Sequence, residues 1–270
     1  AERKVAPEVA QNLKRRYNLD QPLIVQYWHD LKQIVLHFDL GASIKIADFS
    51  VNEIIAQGFP VSASLGILAL SFALALGLSA GVISAVRRGS MADFSMMTVA
   101  TVGIALPNFV IAGIMIILLV IVWPLFPPAG WGRISNIVLP AFCLGAPYAA
   151  YIARLTRTGM LDVLGQDYIR TAFAKGLSER TVITRHALRG ALLPVVSFLG
   201  PAIAGILTGS LVVEKIFGIP GLGVHFVNAA LQLDYPLAMG LVLLYTSLLY
   251  VMNLLVDISY AILDPRVRLS

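Results

Sequence analysis

Charged residues are scarce in this sequence of 270 amino acids: Asp, Glu, Lys and Arg make up only 13% of it, against about a quarter in soluble domains. The mean hydropathy of +0.81 agrees with this scarcity. So few charges cannot cover the surface of a water-soluble fold of this length, since such surfaces are rich in charged side chains. The composition therefore predicts an integral membrane protein.

Cysteine occurs once, as Cys143, and the four histidines lie in separate segments. A single cysteine has no intrachain partner for a disulfide or for redox exchange, so we expect Cys143 to be a small packing residue. The sequence also lacks the zinc-binding motif HExxH, the nucleophile motif GxSxG and the phosphate-binding motif GxxxxGK[ST]. These absences predict that the chain is not an enzyme and holds no metal.

Long hydrophobic runs are abundant, and about 20 apolar residues in a helix cross the hydrocarbon core of a bilayer. Five such runs contain no Lys, Arg or Glu, and Asp257 is the single acid in them. We predict an all-α polytopic membrane protein with an extracytoplasmic helical segment at 1–60 and a transmembrane domain at 61–270. The predicted spans are 61–86, 97–125, 135–153, 191–213 and 236–263.

The basic residues of the connections set the predicted orientation. Two lie at 87–96, one at 126–134, seven at 154–190, one at 214–235 and two at 264–270. Because Lys and Arg concentrate in cytoplasmic loops, we predict that 154–190 and the C-terminus are cytoplasmic. Residues 1–60 are then outside the cell, which leads us to expect a further transmembrane helix before Ala1 in the natural protein.

The outer segment 1–60 has two helical patterns, at 7–17 and at 20–35. The second is amphipathic, with apolar residues at helical spacing. We therefore expect an ordered helical region ahead of the first span.

The predicted spans have no ionisable residue near their centres. Carriers driven by protons or sodium usually keep such residues as relay or coordination sites, so the pattern disfavours a secondary carrier. Asn108 and Asn253 are the polar residues that we name as candidates to line a transport path. The alternative for both is a hydrogen bond between packed helices.

The cytoplasmic connection 154–190 is predicted to fold into short helices rather than to stay a linker. Asp167 suits the positive end of a helix dipole, and Gly176 suits the left-handed turn that ends a helix. Ser178 is a good N-cap for a second helix, and Pro194 should kink that helix where it enters the membrane. A short helix with small residues is suited to docking in a groove of a cytoplasmic protein, whereas the alternative is a basic anchor that only fixes topology.

The stretch "YIRTAFAKGLSERTVITRHALRGALLPV" resembles the cytoplasmic signature loop of ABC-importer permeases of the peptide and nickel class. The positions that match the family motif are Arg170, Thr171, Ala172, Gly176, Leu193 and Pro194. Arg-Thr replaces the generic Glu-Ala, and the gap from the glycine to Leu-Pro is longer than the generic one. The stretches "FPVSASLG", "GIALPNFV", "GSLVVEKIFGIPGLG" and "ILDPRVR" extend the resemblance over the whole chain, and it is to the first, B-type permease subunit of bacterial oligopeptide importers.

The resemblance implies a type I ABC-importer permease fold in the bacterial inner membrane. It implies that the subunit pairs with a second, similar permease, and that an external binding protein delivers peptide. Two cytoplasmic ATPase subunits, rather than this chain, would bind ATP and Mg. The helix at 167–175 would be the coupling helix that docks on one ATPase, and the residues implied in coupling are Asp167, Arg170, Thr171, Ala172, Lys175 and Gly176.

The connection 214–235 contains "EKIFGIPGLGVHF", whose glycines and proline predict a compact turn. We name Glu214, Phe217, Pro220, Gly221 and Gly223 as an outer gate or as a contact for the binding protein. A re-entrant or interfacial turn that only links two helices is the alternative. For the whole chain, the alternatives are an importer of dipeptides, nickel or another small solute, and a membrane scaffold without transport.

Overall fold

The computed structural model describes residues 21–46, 49–207 and 211–263, with side chains to residue 259. The described part of the chain is helical, without a β-strand, and an isolated antiparallel bridge joins Ala42 and Ser50. The all-α fold is therefore confirmed. The helices are α1 (Leu23–Lys32), α2 (Val51–Val86), α3 (Met91–Ala105), α4 (Asn108–Val122), α5 (Ile134–Leu164), α6 (Asp167–Ala174), α7 (Glu179–Ala191), α8 (Leu193–Leu207), α9 (Leu211–Phe217), α10 (Leu222–Gln232) and α11 (Tyr235–Leu263).

The outer segment is described from residue 21 onward, so the helix predicted at 7–17 lies outside the described residues. The helix predicted at 20–35 is confirmed as α1 followed by a π-helical turn, Gln33–His37. None of its residues is buried. Tyr27 and Trp28 pack edge to face with their ring centroids 5.7 Å apart, and both rings are more than half exposed.

Helix α2 begins at a capping box. The Ser50 hydroxyl accepts the N–H of Glu53, and the Glu53 carboxylate accepts the N–H of Ser50 at 2.7 Å. Two free donors of the first turn are satisfied in this way, so the helix starts at Val51, ten residues before the predicted span. The predicted boundary between the outer segment and the transmembrane domain, at 60/61, therefore falls inside α2.

Among the described residues, three single helices are able to cross a membrane by length and hydropathy: Val51–Val86, Ile134–Leu164 and Tyr235–Ser259. Three further candidates are bent pairs, namely α3 with α4 at 110°, α7 with α8 at 55° and α9 with α10 at 106°. Each bent pair has the shape of a broken span or a re-entrant loop. The span predicted at 97–125 is therefore bent at 106–107, while the bend at 192 lies at the start of the span predicted at 191–213.

Prolines account for two of these bends. Pro107 disfavours helical geometry at the preceding residue, and Leu106 is accordingly extended, with φ −84° and ψ 126°. Between α7 and α8 the chain bends just before Pro194, which has no N–H to donate into a continuous helix. The kink predicted at Pro194 matches the 55° bend.

Small residues bring α2 and α5 close together along their length. Ala69, Ala73, Gly77 and Gly81 follow one another at four-residue spacing on α2, and all are buried. A Cβ atom on Gly77 would lie 2.7 Å from the carbonyl oxygen of Ala149, and one on Gly81 would lie 2.6 Å from that of Ala153. Such backbone contact between helices is typical of membrane helix pairs, and it forms the centre of the fold.

The predicted third span ended at residue 153, but α5 continues to Leu164. Its last three turns carry a second core cluster, in which Met160 contacts residues of α6 and α7. The predicted cytoplasmic connection is therefore packed against the end of α5 and is not a free linker.

Candidate functional site

Helix α6, Asp167–Ala174, matches the predicted coupling helix within one residue. Asp167 lies in the first turn, where a carboxylate interacts favourably with the helix dipole. At the other end Gly176 has φ +77°, and its N–H donates to Phe173 O at 2.9 Å while the Leu177 N–H donates to Ala172 O at 3.4 Å. This pair of bonds is the Schellman motif that ends helices at glycine.

One side of α6 is buried in its own chain. Ile169 is 1% exposed and Ala172 is 6% exposed, and both pack with Met160, Val182 and Ala187. Ala172 is therefore not available in this structure to a partner protein. The small residues of α6 therefore do not share one face, because residues 172 and 174 point about 200° apart on a helix.

The opposite side of α6 is exposed and carries Arg170, Thr171 and Ala174. The Arg170 and Asp167 side chains approach to 3.5 Å, but both are open to solvent, so this ion pair contributes little to stability. Tyr168 and Phe173 flank the exposed side and are each about half exposed. A strip of small and basic residues between two aromatic rings is thus presented by a helix whose other face is fixed.

Gly176→Ala is expected to destabilise this loop by about 1–2 kcal/mol, because an L-residue with a Cβ is disfavoured in the left-handed conformation. No atom lies within 4 Å of the position that the new Cβ would take, so the effect would come from backbone strain alone. Faster trypsin cleavage at Lys175 and Arg180 in membrane vesicles would report it. Gly176→Asn is the control, since asparagine tolerates this conformation. Equal cleavage of all three proteins would contradict the prediction.

A polar cluster around the buried Asp93, which the sequence did not indicate, joins α2, α3 and α5 next to this loop. Asp93, in the first turn of α3, accepts two hydrogen bonds from Arg157 of α5, at 2.7 and 2.9 Å. It also accepts the Ser84 hydroxyl and, at 2.9 Å, the N–H of Gly89. Asp93 lies in the predicted cytoplasmic connection 87–96, and these bonds, chiefly that from Arg157, lower its pKa below the usual value. The ionised pair connects the α2–α3 turn to the C-terminal half of α5.

Arg157→Ala is expected to lower the amount of folded protein in the membrane several-fold, because the Asp93 carboxylate would keep its burial and lose its bidentate partner. Arg157→Lys should restore only part of the folded protein in the membrane, since lysine cannot donate the two parallel hydrogen bonds of a guanidinium. Immunoblots of membrane fractions would measure the effect. The exposed Arg154, one turn earlier, is the control, and an equal loss with Arg154→Ala would assign the effect to topology instead.

The predicted outer turn is largely helical, since α9 and α10 form a hairpin, which we call the outer hairpin (211–232), with its turn at 218–221. Glu214 and Phe217 are 0% and 1% exposed, and Gly221 and Gly223 are buried as well. Only Pro220 of the five residues named from the sequence is exposed. In this structure the other four therefore cannot contact a binding protein, and of the two predicted roles a gate is the one compatible with their burial.

The two candidate path-lining residues lie in different surroundings. Asn108 is partly exposed at the start of α4, directly after the bend at Pro107. Asn253 of α11 faces Gly200 of α8, where a Cβ would lie 2.6 Å from the Asn253 Oδ1. Close packing between helices is thus the better interpretation of Asn253, while a path-lining role for Asn108 stays a prediction. Cys143 is fully buried in the core, as expected of a packing residue.

In the part of the chain that the structure describes, no group of three or more His, Cys, Asp or Glu residues is placed to hold a metal ion. The arrangement instead consists of packed helices, bent candidate spans and one short helix with an exposed face. Comparison with known proteins agrees with this arrangement: the family model described as "Binding-protein-dependent transport system inner membrane component" matches residues 77–269. The chain belongs to this family.

Two curated relatives of this family align with nearly the whole chain. The oligopeptide transport system permease protein OppB of Escherichia coli strain K12 is 45% identical over 269 residues, which cover 99% of this chain and 88% of the relative. The dipeptide transport system permease protein DppB of Bacillus subtilis strain 168 is 48% identical over 268 residues, with 99% and 87% covered. The chain is thus an ABC-importer permease component of the inner membrane, and the resemblance in the cytoplasmic loop is confirmed at the level of the family.

Solved structures of the family's fold confirm the architecture. An inward-facing structure of the MetNI methionine ABC transporter superposes with a TM-score of 0.63 at 18% identity, covering 79% of this chain and 97% of that one. A crystal structure of an amino acid ABC transporter with histidines gives a TM-score of 0.54 at 15% identity, covering 80% and 95%. At these identities the likeness establishes the fold alone, and the fold is that of a type I ABC-importer permease.

Proposed function

We propose that this subunit carries oligopeptides across the bacterial inner membrane as one half of a permease pair. The second half is a similar permease subunit, and an extracytoplasmic binding protein delivers the peptide. Two cytoplasmic ATPase subunits bind ATP and Mg and supply the energy. The C-terminus and the loop 154–190 lie in the cytoplasm in this proposal.

The observation that carries the proposal is the exposed face of α6, in a chain 45% identical to an oligopeptide permease over 99% of its length. Arg170, Thr171 and Ala174 are open to a partner, while Ile169 and Ala172 fix the helix on its own chain. A fixed helix with an exposed strip transmits a displacement, whereas a mobile one would absorb it. We assign α6 as the coupling helix, with Asp167, Lys175 and Gly176 completing the docking loop.

Uptake measurements test the proposal directly. The chain and its neighbouring transport genes would be expressed in a bacterial strain without peptide uptake, and entry of a labelled tetrapeptide would be followed. We expect uptake that stops on ATP depletion and continues when an uncoupler is added at constant ATP. Uptake with the opposite response would identify a secondary carrier, and no uptake of any peptide would contradict the proposed substrate.

Dipeptide import is a second candidate, favoured by the 48% identity to the dipeptide permease DppB of Bacillus subtilis. Competition separates the two: an excess of unlabelled tetrapeptide should abolish uptake of the labelled tetrapeptide, while an excess of dipeptide should leave most of it. The reverse order of competition would establish a dipeptide importer. A scaffold without transport is disfavoured by family membership and predicts no uptake in either assay.

A further inference from the structure

Glu214 of α9 is a fully buried carboxylate with no cationic partner. Its exposed fraction is 0%, and neither ion pair found in the described residues includes it. An isolated charge in such a place is costly unless several donors satisfy it. The environment of Glu214 must therefore explain why the chain keeps an acid there.

The donors come from two elements that Glu214 connects. Ser62 of α2 donates its hydroxyl to Glu214 Oε1 at 2.8 Å. From α10, the backbone N–H of Val224 donates to Oε2 at 3.3 Å. Ser62 in turn accepts the N–H of Leu222 at 2.8 Å.

Together these bonds cap α10. Leu222, Gly223 and Val224 are its first three residues, whose N–H groups have no partner inside the helix. The N-cap residue, Gly221, has no side chain to satisfy them. Ser62 accepts the N–H of Leu222 and Glu214 accepts that of Val224, and the carboxylate lies at the positive end of the α10 dipole. The carboxylate is thus stabilised without a cation.

The two glycines of the turn make room for this arrangement. A Cβ atom on Gly221 would lie 2.5 Å from the Glu214 carboxylate carbon and from the Ser62 hydroxyl. On Gly223 it would lie 2.9 Å from Glu214 Oε2 and 2.6 Å from the backbone nitrogen of Leu211. The glycines of the sequence "GIPGLG" therefore allow the backbone to approach the Glu214 carboxylate closely, and the turn packs around this side chain.

We propose that Glu214 is a positioning residue that locks the outer hairpin onto α2 through Ser62. The hairpin cannot leave α2 without breaking both hydrogen bonds of Ser62, the one that it donates to the Glu214 carboxylate and the one that it accepts from the N–H of Leu222. The outer hairpin and the outer half of α2 therefore move together as one unit during transport. This inference rests on the proposed import function only for its effect on uptake, because the lock itself is a property of the folded chain.

Cysteine labelling measures the lock. Cys143 is replaced by Ala, and Ala229 of α10, which is small and 3% exposed against α2 and α11, is replaced by Cys. In permeabilised native membranes, without peptide or ATP, a maleimide should label this cysteine slowly. Glu214→Gln, which keeps the size and puts an NH₂ group against the donors, should accelerate labelling about tenfold, the effect of one unsatisfied buried group. An unchanged labelling rate would overturn the proposal.

The control is a second Ser–Glu pair of the same chemistry. Ser50 and Glu53 also cap a helix through a hydroxyl and a carboxylate, but they are not fully buried. Glu53→Gln should leave the labelling rate of Ala229→Cys unchanged. An acceleration equal to that of Glu214→Gln would mean that any carboxylate loss loosens the outer region, which would also overturn the lock.

A double-mutant cycle separates a lock from general loss of packing. Ser62→Ala alone should accelerate labelling, and the double variant Ser62→Ala with Glu214→Gln should be no faster than the faster single variant. Additive effects would contradict a shared lock. If the Glu214→Gln variant does not accumulate in membranes, the labelling rate of the Ser62→Ala variant tests the lock instead. Peptide uptake should also fall in the Ser62→Ala and Glu214→Gln variants. If the unmodified chain takes up no peptide, the proposed function is wrong, but the labelling rates still test whether Glu214 holds the outer hairpin on α2.

Discussion

Ala174→Trp is expected to abolish ATP-driven uptake while leaving the subunit in the membrane at its normal level. Ala174 lies on the exposed side of α6, where an indole would prevent the helix from seating in a cleft of the ATPase. Loss of a central contact in an interface costs about 2 kcal/mol or more, which is over tenfold in affinity. Uptake of a labelled peptide and co-purification of the ATPase would measure both effects.

Two further tryptophan variants make this result specific. Thr184→Trp places the same ring at an exposed position of α7 in the same loop and should leave uptake near normal. Ala172→Trp should instead reduce the amount of protein, because Ala172 is packed against α7 and the end of α5. Normal uptake by Ala174→Trp would mean that α6 is a basic anchor and not the docking helix.

Gly81→Leu should prevent the accumulation of folded protein. The new side chain would begin 2.5 Å from the Thr156 Cβ and 2.6 Å from the Ala153 carbonyl oxygen, so α2 and α5 would have to separate. Overpacking of a core costs about 1–3 kcal/mol and more when backbone must move, which is a large part of the stability of a protein. The yield of detergent-extracted, monodisperse protein would measure the loss.

The matched control is Gly113→Leu in α4, since no atom lies within 4 Å of its Cβ position. That variant should be recovered at nearly the normal yield, although it adds the same side chain to a helix of the same domain. Equal losses from both substitutions would show that hydrophobic bulk, and not the α2–α5 contact, limits folding.

Local signals in the sequence predicted the cytoplasmic loop well. The helix over 167–175, its end at Gly176 and the N-cap Ser178 all depend on nearest neighbours, and the structure confirms each of them. The side of α6 that faces its own chain was not predictable in the same way. Both sides carry small residues, and only the packing of Ile169 and Ala172 against α7 distinguishes them.

Helix ends were predicted less well where a cap or a proline decides them. The start of α2 was readable in "SVNE", since serine followed three residues later by glutamate is a capping box, but hydropathy alone placed the span at residue 61. The 110° bend at Pro107 was also encoded locally. Hydropathy averages over such signals, which explains why no bend was predicted within 97–125.

Long-range polar partners could not be predicted from the sequence. Asp93 and Arg157 are 64 positions apart, and Ser62 and Glu214 are 152 apart. Nothing near Glu214 in sequence marks it as buried, and its place among glycines suggested an exposed turn instead. The first pair joins α3 to α5 and the second joins α2 to the outer hairpin, so both depend on how separate helices pack.

Both prolines inside α5, Pro140 and Pro147, lie in its first half, and none follows before the helix ends at Leu164. The second half, about 25 Å long at 1.5 Å per residue, therefore has no built-in hinge. Arg157 and Met160, which packs with α6, lie one helical turn apart on the same side of this half. A displacement of α6 would thus be transmitted to the α2–α3 turn by rotation of the second half of α5 as a rigid segment. The pivot of this rotation would be at the prolines of α5 and not within the loop that contains α6.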